Sequence, residues 1–349
     1  MLFRKMLRDM RYNKTQFISI FLLAFLGVFI YSGVLSEGNG LATTADEFYE
    51  STNFADTWIY STGFSEEDAE AVSGVDGVTG VERRLTMKSI GDFNNHPTVR
   101  LHFVEDNKIS RFYLVEGEAF SIRDKDGIWI DSRFAEAKGL TIGNKISLKI
   151  DSVTLQKTIR GLIMSPEYVY SAGEDDIVPI HANYGYGVLS YQAFPEQLPI
   201  TFTELLITTK QEADQKLENR IDDALKGNYN AFMKQSSLRS FVQFDEEMKE
   251  HRAIGKIFPM IFLAVAVLTI VTTMSRLVNS QRTQIGIMKA VGYKRRRILF
   301  HYVSYGLWIS IFGAVVGALT GPLILPYLTL VRCRQFLQYR NGKRLYRYQ

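Results

Sequence analysis

Hydrophobic positions along this chain fall into two patterns. Three stretches are apolar for longer than one face of a soluble helix requires: Phe17–Leu35 and Ile257–Ser275, 19 residues each, and Ile298–Val331, 34 residues without Asp, Glu, Lys or Arg. A helix needs about 20 such residues to cross a hydrocarbon layer about 30 Å thick, so each stretch predicts one crossing. Gly321-Pro322 and Pro326 predict that the third helix ends near residue 325, which puts the spans at 17–35, 257–275 and 298–325. Between the first and second spans the pattern changes to short alternating or β-branched runs, clearest at Thr57–Ser61, Val99–Phe103, Gly127–Asp131, Lys145–Ile150 and Thr203–Thr209, all read as strands. Ser65-Glu66-Glu67-Asp68 has the form of a capped helix start, and Glu212–Lys226 has helical composition. Ser237–Arg252 holds no Gly or Pro and leads into the second span. It predicts a stalk helix from about residue 237 that continues into the membrane, with two helices broken at Gly255 or Pro259 as the alternative. The fold class is therefore an α-helical membrane protein with three transmembrane helices and a large mixed α+β domain at 36–252.

Charge sharpens this division. Residues 36–252 hold 36 of the 37 acidic residues but 22 of the 41 basic ones, so the flanks carry 19 basic residues against Asp9 alone. No basic stripe runs through the folded middle, which argues against a nucleic-acid partner. Arg4, Lys5, Arg8, Arg11 and Lys14 precede the first span, and Arg276, Arg282, Lys289 and Lys294 to Arg297 lie between the second and third. Lysine and arginine beside spans stay in the cytoplasm, so the basic segment 1–16 and the loop 276–297 are expected inside and residues 36–252 outside, in a multi-pass protein of the cell membrane. The first span also resembles a signal peptide, but its apolar core exceeds the usual 7–15 residues and no small-x-small cleavage site follows, so it is read as retained.

Reacting groups of an enzyme are not evident. No phosphate loop, nucleophile elbow or zinc-protease motif occurs, and His96, His102, His181, His251 and His301 never fall at metal-ligand spacing. These histidines are read as surface or packing residues, and the acidic cluster Glu174-Asp175-Asp176 as a solvated loop. No cofactor or metal is expected, and the lone Cys333 excludes a disulfide within the chain.

Two patterns inside the membrane part point to contacts. Gly313, Gly317 and Gly321 recur every four residues and predict a smooth strip for close approach of another helix, in this chain or another. In the loop, Ile285, Ile287, Met288 and Val291 are expected to make one apolar face of a short helix over Arg282–Gly292, with Gly292 as its cap. Such a helix suits either lipid headgroups or a groove on a partner protein.

RTQIGIMKAVGYKRRRI (Arg282–Ile298) resembles the loop between the second and third spans of FtsX/MacB-like permeases, membrane subunits of ABC transporters, in which R-x-x-I-G-x-x-K/R-A-x-G is usual. Gln284 stands where many members carry Glu. GIWIDSRFAEAKGLTIGNKISL (Gly127–Leu148) and GLIMSPEYVY (Gly161–Tyr170) are similar to that family's periplasmic core domain, and the likeness covers about residues 1–328. The resemblance implies a coupling helix, with Arg282, Gln284, Ile285, Gly286, Ile287, Met288, Ala290, Val291 and Gly292 docking on a separate ATPase subunit. It further implies a homo- or heterodimeric permease in the bilayer, ATP hydrolysis on the partner chain, and export or handling of a peptide, lipid or lipoprotein substrate. A membrane-anchored sensor or scaffold that regulates a cell-wall enzyme or answers a ligand without transport is the alternative. Family members have four spans per repeat, whereas this chain ends soon after its third, so a C-terminal truncation is expected. The tail 326–349 lies outside by crossing parity, yet its basic charge suits the inside.

Overall fold

The computed structural model describes residues 8–329 apart from residues 9, 13, 174, 175, 177, 197 and 212. The chain divides into two compact units, a helical one from its two ends and a sheet one from Thr44–Glu246, and the divisions fall inside long helices.

Among the described residues the sheet unit has ten strands: β1 (Thr57–Phe64), β2 (Val78–Gly91), β3 (Thr98–Val104), β4 (Tyr113–Gly117), β5 (Gly127–Asp131), β6 (Lys145–Ile150), β7 (Val153–Met164), β8 (Tyr184–Ser190), β9 (Phe202–Thr209) and β10 (Ala231–Lys234). Their order is β10-β1-β9-β2-β3-β8-β5-β7-β4, and β6 bridges β7 and the far end of β2. Pairings β2-β3-β8-β5-β7-β6 thus close on themselves. From all six strands come Leu85, Phe103, Ile130, Leu148, Ile159 and Leu189, which share one core with Phe134. That pattern is what alternation at a period of two produces when one face of each strand turns to a common interior.

The long first helix, α1, spans Lys14–Ser51, and a second core lies under two shorter helices. Helix α2 (Glu66–Ser73) opens on a capping box in which Ser65 and Asp68 satisfy each other's backbone N–H groups. Helix α3 (Ser132–Lys138) follows β5, and α4 (Gln215–Leu225) buries Leu217, Ile221 and Leu225, four apart, beside Val72 and against Ile59, Leu205 and Ile207.

The helical unit contains most of α1, most of α5 (Arg239–Ser280), α6 (Arg282–Ala290) and α7 (Arg295–Thr329). Three of these, α1, α5 and α7, are long and apolar enough to cross a membrane. Helix α5 is one continuous helix through Gly255 and Pro259. The span expected at 298–325 falls within α7, whose membrane-length stretch is Arg295–Leu325, while the helix itself continues through Pro322 and Pro326 to Thr329. Proline removes one backbone donor per site, but in an apolar surround the other backbone groups find no partner outside the helix, so the helix persists where water would release it. The tail beyond Thr329, whose side of the membrane the charge pattern left contradictory, lies outside the described residues, as do Glu174 and Asp175.

Candidate functional site

The loop between the second and third long helices folds as α6. Its start carries no side-chain cap; Gln281 instead accepts at Oε1 a hydrogen bond from the Tyr302 hydroxyl at 2.7 Å, while its carbonyl accepts the Ile285 N–H. At the other end Gly292 takes φ +93°, the Gly292 N–H donates to the Lys289 carbonyl and the Tyr293 N–H to that of Met288, both at 3.0 Å. This is a Schellman closure, and it returns the Tyr293 ring toward Met288.

One expectation fails here: Ile285, Ile287, Met288 and Val291 do not bury one common face. At about 100° per residue they cover one arc of about 160°, with Ile285 and Ile287 at its two edges, and packing divides that arc. Ile285 and Met288 pack, half-buried, into a cluster with Phe17 and Ile20 of α1, Ile270 and Met274 of α5, and Ile298, Tyr302 and Tyr305 of α7. Ile287 is 60% and Val291 72% exposed. Gln284, Gly286 and Ala290 are exposed beside them, and a Cβ built on Gly286 meets nothing within 4 Å. Arg282 donates to Asn279 Oδ1 at 3.1 Å, and Arg297 lies over the Tyr293 ring at 5.7 Å. Helix α6 is thus held from inside by all three long helices and offers an apolar patch, rimmed by cations, on its other side.

The glycine strip of α7 lies against α1 in the same chain. A Cβ on Gly313 would stand 2.7 Å from the Phe21 carbonyl oxygen, one on Gly317 2.6 Å from that of Phe25, and one on Gly321 2.5 Å from that of Phe29. These are backbone atoms, which cannot rotate aside, so glycine is what permits the approach. Ser32 Oγ also donates to the Gly317 carbonyl at 3.2 Å.

Sequence reasoning missed a polar network in the sheet unit. Arg84 on β2 donates to both oxygens of Glu167, at 2.6 and 2.9 Å, and to Glu204 Oε2 on β9 at 2.7 Å, with all three residues buried. Thr86 Oγ1 lies 2.8 Å from Glu204 Oε2 and 2.8 Å from His102 Nδ1, and His102 Nε2 lies 2.8 Å from the Tyr168 hydroxyl. Glu204 only accepts, so the single Thr86 proton goes to it. His102 Nδ1–H then donates to Thr86, and the Tyr168 hydroxyl donates to Nε2. Burial, with Arg84 and Arg100 nearby, holds the His102 pKa well below its usual value, and burial keeps the Tyr168 hydroxyl protonated. The one cue in the sequence is Glu82-Arg83-Arg84 inside a strand-like run, where one of two adjacent cations has to point inward.

A neutral buried imidazole has a pH consequence of definite sign. The unfolded chain takes up a proton on His102 near pH 6.5 and the folded chain does not, so stability falls as pH drops below about 6.5. Denaturant titrations at pH 7 and pH 5 should show a loss larger in the wild-type chain than in His102→Asn by at most about 1.4 kcal/mol per pH unit. Equal slopes would mean that the histidine is charged in the fold.

Comparisons with known proteins bear on both units. Residues 20–224 match the family model described as MacB-like periplasmic core domain, and residues 256–342 that of the FtsX-like permease C-terminal region. The second match continues past residue 328, where the sequence reading set the end of the likeness. Among solved structures, the extracellular domain of the noncanonic ABC-type transporter YknZ from Gram-positive bacteria is similar at 12% identity and a TM-score of 0.36, over 52% of this chain and 99% of that one. The periplasmic region of MacB from Actinobacillus actinomycetemcomitans is similar at 9% identity and a TM-score of 0.34, over 58% of this chain and 96% of that one. No curated protein matches the chain.

Proposed function

This chain belongs to the family of FtsX-like permeases with a MacB-like periplasmic core domain, membrane proteins of ABC-type transporters with an extracytoplasmic domain, and from that we propose that it is a permease subunit driven by a separate ATPase. The subunit couples ATP hydrolysis on that partner to movement of its outer domain, for export or handling of a peptide, lipid or lipoprotein. Its amino terminus and α6 face the cytoplasm, in keeping with the basic residues around both. It works as one half of a homo- or heterodimeric permease.

The observation that carries this reading is the two-sidedness of α6. Ile285 and Met288 tie it to the three long helices, while Ile287 and Val291 stand apolar and exposed around a glycine that no contact among the described residues requires. A glycine inside a helix costs about 1 kcal/mol relative to alanine, and close approach of a partner surface gives it a use. A push on the outer patch then reaches α1, α5 and α7 together.

The test is affinity purification of the tagged full chain from its own membrane, followed by ATP hydrolysis in the eluate. Wild-type chain should carry a vanadate-sensitive ATPase. Ile287→Glu buries an unpaired charge at the contact, which costs about 2–5 kcal/mol, so bound activity should drop at least about 30-fold with membrane insertion unchanged. Met288→Glu is the poorer probe, because Met288 is committed to the bundle. Full ATPase recovery with Ile287→Glu would remove the docking role of this patch, and no ATPase with the wild-type chain would favour a sensor or scaffold.

A further inference from the structure

Strand β2 lies in the middle of the sheet, paired on one side with β9 and on the other with β3. Glu82 and Arg84 are two residues apart on it, so their side chains leave the same face about 7 Å from each other. Both are buried, yet they hold different segments of chain.

Glu82 grips the loop that closes the end of α1. Its carboxylate accepts the N–H groups of Asn107, Lys108 and Ile109 at 2.6, 2.8 and 2.8 Å. Immediately beyond, the Ser110 N–H donates to the Asn53 carbonyl and the Arg111 N–H to that of Thr52, at 2.8 and 2.9 Å, while Arg111 Nε donates to the Ser51 carbonyl at 2.9 Å. The Ser51 and Thr52 carbonyls are among the ones that the end of a helix leaves without intrahelical donors. The fit is enforced against backbone preference: Asn53, Asn107 and Ser110 all sit in the left-handed region, at φ 49°, 56° and 48°. Three non-glycine residues persist there because the surrounding bonds over-determine them.

Arg84 grips the segment that holds the start of α5. Glu167 and Tyr168 are fixed by Arg84 and His102, and the Tyr168 ring stacks on Tyr186 at 4.2 Å. Three residues on from Glu167, the Tyr170 N–H donates to Ser240 Oγ at 2.8 Å, and Arg239 donates to the Gly173 carbonyl at 3.0 Å. Ser240 and Arg239 belong to the first turn of α5.

We propose that Glu82 and Arg84 are two separate anchors through which one rigid strand holds the ends of the two long helices that enter the sheet unit, Glu82 by way of 105–111 for α1 and Arg84 by way of 165–173 for α5. Each helix end has its own hydrogen-bonded strap, although the ends also touch where the Tyr49 and Phe241 rings lie 5.8 Å apart, and Glu82 and Arg84 are positioning residues for movement arriving along either helix. This deepens the proposed coupling, but the wiring is a property of this chain and is tested with no ATPase present.

The experiment is peptide-resolved amide hydrogen exchange on the full chain in lipid nanodiscs, using two near-isosteric variants. Glu167→Gln should speed exchange at least tenfold in 166–173 and the first turns of α5, with 48–55 and 105–111 unchanged. Glu82→Gln, whose side-chain NH2 group meets backbone donors, should do the reverse. Should either variant fail to fold, Ser240→Ala and Arg111→Ala remove side-chain bonds at the far ends of the same straps, and the same separation is expected. Faster exchange in both straps from a single substitution, or in neither, would overturn the proposal.

Discussion

Arg84→Met is expected to destabilise the sheet unit by about 3–5 kcal/mol, the range for removing one member of a buried ion-pair group. The guanidinium makes three hydrogen bonds to two carboxylates, and Glu167 and Glu204 are as deeply buried as it is. With the cation gone, two negative charges would share one dehydrated pocket. One of them would have to take up a proton. Guanidinium denaturation of the detergent-solubilised chain, followed through the buried Trp58 and Trp129, measures the loss. The double variant Arg84→Met, Glu167→Leu should recover part of it, because an apolar pair leaves one fewer charge stranded. A single-variant loss below about 1 kcal/mol would show that the network is solvated rather than sealed.

Gly317→Ala should destabilise the helical unit although alanine is the better helix former by about 1 kcal/mol. The added methyl would stand 2.6 Å from the Phe25 carbonyl oxygen and 2.9 Å from the Phe29 nitrogen, so α1 and α7 have to part. Overpacking of this kind costs about 1–3 kcal/mol, and it outweighs the gain in propensity. Gly286→Ala is the opposite case. Its methyl meets nothing within 4 Å among the described residues, so propensity alone should act and the variant should be slightly more stable. Heat challenge followed by size-exclusion chromatography reads both, and stabilisation by both alanines would show that the α1–α7 contact is loose.

Much of the architecture was legible because it is encoded over short distances. The strands Gly127–Asp131 and Lys145–Ile150 have the bounds that alternation and composition imply, and Ser65 caps α2 through a residue three positions away. The three long apolar helices follow from length alone. Local rules failed where the surroundings changed their meaning. Pro322 and Pro326 end helices in water, but α7 continues through them because an apolar surround offers its backbone no other partner. The apolar residues of the loop read as one face because hydrophobicity does not say which neighbour each side chain will meet. Met288 found the bundle, and Ile287 did not.

What the amino-acid order determined by itself was the kind of molecule, apolar helices beside an acid-rich mixed domain with cations at the helix ends, since segment length, period and charge are properties of neighbouring residues. Only the tertiary structure decided which partners meet. Arg84 joins Glu167 from 83 positions away and Glu204 from 120, and the α7 glycines lie on α1 nearly the full chain apart. Such pairings are set by strand order and helix packing, which bring distant residues together through backbone geometry that no local pattern records.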